Sequence, residues 1–242
     1  AFLVAWLALP LWSASVLINI LHTNDIHQNL KELPVIAALA DSSRRCYPNT
    51  VFIDAGDFFD RGSSLVPLTR GEAVFGAIAQ MGYDMCILGN HDWAYGGMRL
   101  FELMNKYPVT VLGTNLGTTQ PAFPASLKRF VIKEFNGVKI GFFGITLDTY
   151  GKDPKGRPYL YVLDCRKETE RVIKELKQAR VDLIVAVTHL GLRKMKHETL
   201  CGHPSDIDLA EAFPDIDVIV GGHSHTDMKE SETRQIYQQN GV

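Results

Sequence analysis

The stretch TVFIDAG at residues 50–56 is apolar almost throughout and is followed directly by the polar Asp57. A strand without polar alternation is buried on both faces, as in parallel sheets that are covered by helices. Similar runs recur at 16–22, 84–90, 109–115, 182–191 and 216–223. Helical patterns lie between the runs, at 34–44, 70–81, 97–107, 166–180 and about 206–213. This alternation predicts an α/β sandwich with a largely parallel sheet.

One hairpin interrupts the alternation. The segments KRFVIKEF and VKIGFFGIT flank Asn136-Gly137, a pair that suits the positive φ angles of a type I′ turn. Antiparallel strands therefore join the parallel ones. Within 166–180, one apolar stripe lies opposite a charged face, and Asp164 is the predicted N-cap of this helix.

Composition narrows the possible classes of protein. A chain of 242 residues that is 46% hydrophobic can bury a full core as one domain. The net charge is −2, with scattered Lys and Arg, so we expect neither nucleic acid nor an anionic membrane as a partner. The four cysteines lack the spacing of a zinc knot. Cys86 is predicted to be core, whereas Cys46, Cys165 and Cys201 stand beside loop signals and could pair in an oxidising compartment.

The first residues differ from the rest of the chain. Residues 1–15, AFLVAWLALPLWSAS, are apolar and uncharged, and they are too short to cross a bilayer. The run ends in the small residues of a cleavage site, so it predicts the remnant of a secretory signal and a secreted or periplasmic protein. A buried first strand or helix is the alternative. One domain is then expected over residues 16–242.

Polar side chains follow the carboxyl ends of the apolar runs. They are Asp25, His27, Asp57, Asn90, His91, His189, His223 and His225. Parallel strands deliver these ends to one edge of a sheet, so the side chains can converge in one crevice. Each motif alone is also typical of a capping turn or a solvated loop. Together, the carboxylates, the amide and the imidazoles suit two divalent cations that share one bridging carboxylate.

These residues form five ordered motifs, namely D-x-H at 25–27, G-D at 56–57, G-N-H-D at 89–92, a later His189, and G-H-x-H at 222–225. The chain resembles the calcineurin-like metallophosphoesterases in this order. The segments LHTNDIH, DAGD, ILGNHD and VGGHSHT most resemble the 5′-nucleotidase branch, from about Val16 to the end. The resemblance implies a four-layer α/β/β/α sandwich of mixed sheets whose C-terminal strands are missing, so that the catalytic domain at 16–242 is incomplete.

The resemblance also implies a ligand set. One metal would be held by Asp25, His27, Asp57 and His225, and the other by Asp57, Asn90, His189 and His223. Asp57 would bridge the two metals. The mixed nitrogen and oxygen ligands are compatible with Mn, Zn, Fe or Co. Two cations activate water and offset charge on phosphoryl oxygens. The implied activity is hydrolysis of a small phosphoester, most similar to a 5′-nucleotidase acting on a nucleotide.

Two residues beside the ligands are implied in catalysis. His91 would point away from the metals and stabilise or protonate the transferring phosphate, and Asp92 would orient it. The branch tends to carry a further acid where this chain has Ala94. Since every metal ligand is present, we expect activity to be retained, with Asp92 substituting for the absent acid or with reduced turnover.

Several alternatives remain open on sequence alone. The same metal pair would serve a phosphodiesterase that opens cyclic nucleotides, and Ala94 would suit a non-catalytic homologue that binds metal or nucleotide. Asp54 can buttress a ligand or cap its strand, and Arg61 can hold a phosphate or be solvated. His203 is expected to be solvated or to lie behind the metal ligands.

Overall fold

The structure is a computed structural model that describes residues 15–27, 30–59, 64–147, 159–193 and 203–226. The strands are β1 (Asn19–Thr23), β2 (Thr50–Asp54), β3 (Met85–Cys86), β4 (Val111–Leu112), β5 (Leu116–Thr118), β6 (Leu127–Lys128), β7 (Phe130–Phe135), β8 (Val138–Thr146), β9 (Leu160–Val162), β10 (Leu183–His189) and β11 (Val218–Gly221). The helices are α1 (Leu33–Cys46), α2 (Leu65–Thr69), α3 (Glu72–Gln80), α4 (Gly96–Lys106), α5 (Cys165–Gln178) and α6 (Asp206–Ala212), with a 3₁₀ helix at His91–Tyr95.

The strands form two main sheets. The first has the order β1-β2-β3-β4-β6, and every pair in it is parallel. The second has the order β11-β10-β8-β7, in which β10 runs parallel to β11 and β8, while β7 is antiparallel to β8. Strands β5 and β9 make a small antiparallel sheet. The prediction of parallel strands combined with a hairpin is therefore confirmed.

Alternate side chains of each sheet enter different layers of the core. On β2, Val51 and Ile53 pack in one cluster with Phe142 of β8 and Val187 of β10, so the two sheets lie face to face. Phe52, between them, packs instead with the cluster that contains residues of α3 and α4. Helices α5 and α6 cover the outer face of the second sheet. The result is the expected α/β/β/α order of layers.

The two sheets approach closely where β4 ends. Gly144 of β8 has no room for a side chain, since a Cβ there would lie 2.6 Å from Leu112 Cβ. Thr114 N–H donates to Gly144 O (3.0 Å), and Gly144 N–H donates to Thr114 Oγ1 (3.0 Å). These bonds fix the first sheet against the second near the carboxyl end of β4.

Local signals in the sequence account for two of the turns. Asn136 and Gly137 have φ angles of 50° and 88°, as the type I′ prediction requires, and Phe135 pairs with Val138 across the hairpin. The Asp164 side chain accepts a hydrogen bond from Lys167 N–H at 2.8 Å, which confirms the predicted N-cap of α5.

Some predicted elements differ from the structure. The helix expected at 70–81 is found as α3, but the short helix α2 that precedes it was not predicted. Arg70 and Gly71 separate the two helices, because both have positive φ angles (49° and 79°) that a right-handed helix excludes. The runs at 84–90 and 109–115 pair over only two residues each, in β3 and β4, before the chain turns toward the edge of the sheet.

Several predictions lie outside the described residues. They concern nearly all of the apolar segment at 1–15, Arg61, Cys201 and the chain after residue 226. Cys86 is buried as predicted. Within the described ranges, no helix has both the length and the apolar character needed to cross a bilayer.

Candidate metal centre

The predicted ligands lie on the loops that leave the carboxyl ends of β1, β2, β3 and β11, except His189, which is the last residue of β10. The main-chain ladder between β1 and β2 continues into their loops. Asp25 N–H donates to Gly56 O (2.9 Å), and His27 N–H donates to Asp57 O (3.0 Å). The loops that carry these residues are therefore held side by side, at the edge of the sheet where convergence was expected.

Six of the seven predicted ligands come together in space. Three groups have potential ligand atoms within 4.8 Å of one another, and they are Asp25, His27 and His225; His27, Asp57 and His91; and Asp57, His189 and His223. The Nε2 atoms of His27 and His225 are 2.9 Å apart. Two ring nitrogens and a carboxylate that converge in this way suit a divalent cation.

Asn90, the seventh predicted ligand, has a buried side chain. Its Oδ1 atom accepts no hydrogen bond from any residue that the structure describes. Because a buried polar atom normally finds a partner, an orphaned amide oxygen at this position suits a cation as the partner. The donor set therefore fits divalent metal ions.

The ligand positions share an unusual backbone conformation. Positive φ angles occur at Asp25 (51°), His27 (45°), Asp57 (63°), His223 (82°) and His225 (48°). This left-handed region is uncommon for residues other than glycine, and it persists where the surrounding structure enforces it. The sequence gives no direct signal for this conformation.

Glycines allow the ligand loops to touch. A Cβ at Gly89 would lie 2.2 Å from Asp57 Oδ1. A Cβ at Gly222 would lie 2.9 Å from Ala55 O and 3.0 Å from His189 Nδ1. A side chain at either position would separate the loops, so these glycines of the G-N-H-D and G-H-x-H motifs serve close packing.

Asp92 is wholly buried and joins two of the ligand loops. Its Oδ2 accepts from Asp57 N–H (3.0 Å) and Gly89 N–H (2.7 Å), and its Oδ1 accepts from the N–H groups of Phe58 (2.9 Å) and Phe59 (3.0 Å). In return, His91 N–H donates to Asp57 Oδ1 (2.7 Å). These contacts make Asp92 a positioning residue for the loop and carboxylate of Asp57. That Asp92 also orients the His91 ring stays a prediction.

His189 and Asp57 form a buried ion pair. His189 Nδ1–H donates to Ala55 O (2.7 Å), so Nε2 is the atom that faces Asp57 Oδ2 at 3.1 Å. Burial lowers the pKa of His189, but the hydrogen bond and charge of Asp57 outweigh it and raise the pKa to about 9. Burial raises the pKa of Asp57, but His189 outweighs it and holds the pKa below its ordinary value. A cation would take the place of the His189 proton.

His91 lies beside the predicted ligands His27 and Asp57. It belongs to a potential ligand group with His27 and Asp57, and its ring meets that of His27 edge to face, with the centroids 5.0 Å apart. The expectation that it points away from the metals is untested by these distances. That His91 acts on the substrate phosphate therefore stays a prediction.

The structure adds two contacts to buried carboxylates that the sequence did not predict. Thr23 of β1 donates to Asp54, and Thr188 Oγ1 of β10 donates to Asp206 Oδ1 (2.6 Å). Each buried carboxylate is therefore held by a threonine near the end of a strand that leads to the site. No local pattern marks these pairs, because their partners are distant in sequence. His203, which was expected to be solvated or to lie behind the ligands, is buried.

A four-layer α/β/β/α sandwich with Asp, Asn and His side chains gathered at its strand ends defines the metallophosphoesterase class of protein. The chain belongs to the calcineurin-like phosphoesterase family, whose model matches residues 18–227. The resemblance inferred from the five motifs is thereby confirmed.

Individual relatives agree with this assignment. The chain is 31% identical to a 5′-nucleotidase of Vibrio cholerae, over 86% of this chain and 40% of the relative. It is 25% identical to a trifunctional nucleotide phosphoesterase, YfkN, of Bacillus subtilis, over 86% of this chain and 16% of the relative. The NAD nucleotidase of Haemophilus influenzae has the same fold, with a TM-score of 0.70 and 22% identity, over 90% of this chain and 40% of that one. The chain thus spans less than half of the length of these relatives.

Proposed function

We propose that this chain carries the catalytic centre of a metal-dependent phosphoric ester hydrolase of the 5′-nucleotidase type. The observation that supports the proposal most strongly is that potential ligand atoms from distant parts of the chain form three groups, with the three atoms of each group within 4.8 Å of one another. Capping or solvation does not require such convergence. The family membership and the names of the relatives agree with it.

Two divalent cations would occupy the centre. Asp25, His27, Asp57 and His225 would hold one, and Asp57, Asn90, His189 and His223 would hold the other. A carboxylate has two oxygens to share, and neutral imidazoles complete each set without accumulating negative charge. Mn, Zn, Fe or Co would each suit these ligands. When bound, the cations supply Lewis acidity toward the phosphoryl oxygens and toward the attacking water.

His91 would act on the substrate. Its backbone is fixed by the hydrogen bond from its N–H to Asp57, and its side chain is partly exposed. The imidazole would donate a hydrogen bond to a phosphoryl oxygen or a proton to the leaving oxygen. Asp92 would keep the loop of His91 in place through the backbone bonds described above.

The proposed substrate is a nucleoside monophosphate or a similar small phosphoester. The names of the relatives support this class, and the net charge of −2 gives no attraction for polymeric nucleic acid. A secreted or periplasmic location is proposed on the apolar residues 1–15. Fractionation of cells that express the full-length protein tests the location.

The decisive experiment replaces the shared carboxylate. With Mn, Zn, Fe or Co, the full-length protein should release inorganic phosphate from a nucleoside 5′-monophosphate, and Asp57→Asn should reduce kcat/KM more than about a hundredfold. Asp41→Asn, on the exposed side of α1, is the matched control and should leave the rate unchanged. Equal activity of Asp57→Asn and the wild type would refute the proposal. Cleavage of a cyclic nucleotide without phosphate release would favour the phosphodiesterase alternative.

A further inference from the structure

We propose that Thr23, Asp54 and Tyr83 form a hydrogen-bonded network that positions the loops after β1 and β2 and thereby sets how tightly the cation at Asp25 and His27 is bound. The inference rests on the proposed function in one respect, namely that the centre binds divalent cations. It assigns a role to three residues that are neither predicted ligands nor predicted catalytic groups.

The network lies at the last paired position of β1 and β2. Thr23 and Asp54 are partners in the parallel register, and Thr23 Oγ1 lies 2.5 Å from Asp54 Oδ2. The same Oγ1 lies 2.7 Å from the hydroxyl of Tyr83. A threonine hydroxyl has one hydrogen and a carboxylate only accepts, so Thr23 donates to Asp54 and Tyr83 donates to Thr23. Gly56 N–H donates to the other carboxylate oxygen at 2.8 Å.

The far end of the network is anchored in the core. The ring of Tyr83 stacks on Phe52 of β2, with the ring centroids 3.8 Å apart, and both side chains are buried. Asp54 is wholly buried, and a buried carboxylate is costly unless its oxygens are bonded. Here both oxygens have partners. The three side chains therefore form a rigid unit beneath the ligand loops.

Short main-chain links connect this unit to the predicted ligands. Thr23 precedes Asp25 by two residues, and Gly56, which Asp54 binds, precedes Asp57 directly. Gly56 O in turn accepts from Asp25 N–H at 2.9 Å. Loss of the Thr23 hydroxyl would thus loosen the loop of Asp25 and His27 against that of Asp57.

The two proposed cations should respond differently to this loss. Asp25 and His27 belong to the group with His225, and their loop leaves β1. His189, by contrast, is itself part of β10 and also holds Ala55 O through its ring. Weakening should therefore fall mainly on the cation at Asp25 and His27.

Three substitutions test whether the network sets the affinity for the cation at Asp25 and His27. Thr23→Val keeps the shape and removes the hydroxyl, Thr23→Ser keeps the hydroxyl, and Tyr83→Phe removes only the outer donor. Binding of Mn²⁺ and Zn²⁺ to the metal-free, full-length protein would be measured by titration calorimetry, with the metal content determined by mass spectrometry. Thr23→Val should bind one equivalent about 10 to 100 times more weakly and should affect the affinity for the other equivalent less. Thr23→Ser should match the wild type, and Tyr83→Phe should show a smaller loss.

The outcomes separate this inference from the proposed function. If the wild type binds cations and both Thr23→Val and Tyr83→Phe bind them with wild-type affinities, the inference is overturned while the metal centre stands. A lower melting temperature without any change in affinity would also overturn it, since the network would then support only the fold. If the wild type binds no divalent cation, the proposed function fails as well. If Thr23→Val does not fold, the cation affinity of Tyr83→Phe decides whether the inference stands.

Discussion

Asp92 illustrates how a residue can be recognised from sequence while its backbone hydrogen-bond partners are not. Its place in the G-N-H-D motif indicates an acid beside His91, yet both oxygens are occupied by four backbone N–H groups. Burial raises the pKa of Asp92, and the nearby Asp57 raises it further. A carboxylate that is held in this way is poorly placed to substitute for the acid that is absent at Ala94, whose own position is exposed.

The missing acid can be restored. Ala94→Asp should raise kcat for phosphate release by less than about tenfold, because every predicted ligand is already present and a general acid–base pair contributes about 10² to 10⁴ in total. Ala94→Asn has the same size without the charge and serves as the control. A gain of a hundredfold or more in the aspartate variant alone would show that the native site lacks an essential group.

The secondary-structure elements that were predicted well are those with strong local patterns. Strands β2 and β10 are continuously apolar, and α5 has both an apolar stripe and its Asp164 cap. The small sheet of β5 and β9 was not predicted, because its three-residue strands lie far apart in sequence and carry no periodicity of their own. Helix α2 was also missed, because its five residues are too few to show a helical period in the sequence.

Helix α5 offers a test of packing that leaves the metal centre intact. Leu176 is wholly buried over the second sheet, where its Cδ2 lies 2.6 Å from the position of a Cβ at Gly141. Leu176→Ala should lower the free energy of unfolding by about 2–5 kcal/mol without changing metal affinity. Lys174→Ala, on the exposed face of the same helix, should change it by less than about 0.5 kcal/mol. Denaturant titration measures both, and a loss below about 1 kcal/mol for Leu176→Ala would contradict the assigned packing.

In the molecule as a whole, several titratable groups are buried near the strand ends that form the predicted centre, and for three of them the raised pKa lies between about 7 and 9. Burial raises the pKa of Asp54 and of Asp206 to about 7, above the ordinary value of 3.8. These acids bind more protons in the folded state, so stability falls as the pH rises toward 7. The contribution of His189, whose pKa is raised from 6.5 to about 9, is complete below about pH 6.5 and is lost as the pH approaches 9.

The metal-free protein should therefore become less stable from pH 5 to pH 9. Unfolding in denaturant with a chelator present measures this, and Asp206→Asn should reduce the slope between pH 5 and 7 by up to one proton, or about 1.4 kcal/mol per pH unit. Added Mn²⁺ should restore stability most at high pH, where no proton competes for His189. Stability that rises with pH in the presence of chelator would contradict these protonation states.

The predicted metal ligands were easier to identify from sequence than the contacts that hold their loops in place. Asp25, Asp57 and His189 each follow an apolar run, and the parallel arrangement of strands then brings them to one edge. The contact between Thr23 and Asp54 depends instead on the register of two strands, which no local pattern specifies.

The left-handed backbone at five predicted ligands affects which replacements the fold accepts. Branched residues such as valine or isoleucine are strained there, whereas asparagine and glycine adopt this conformation with little cost. A library of variants selected only for correct folding would accordingly be enriched in asparagine and glycine at these five places. Variants of this protein that no longer bound the proposed cations would then still show the substitution pattern of tight turns at the five predicted ligands.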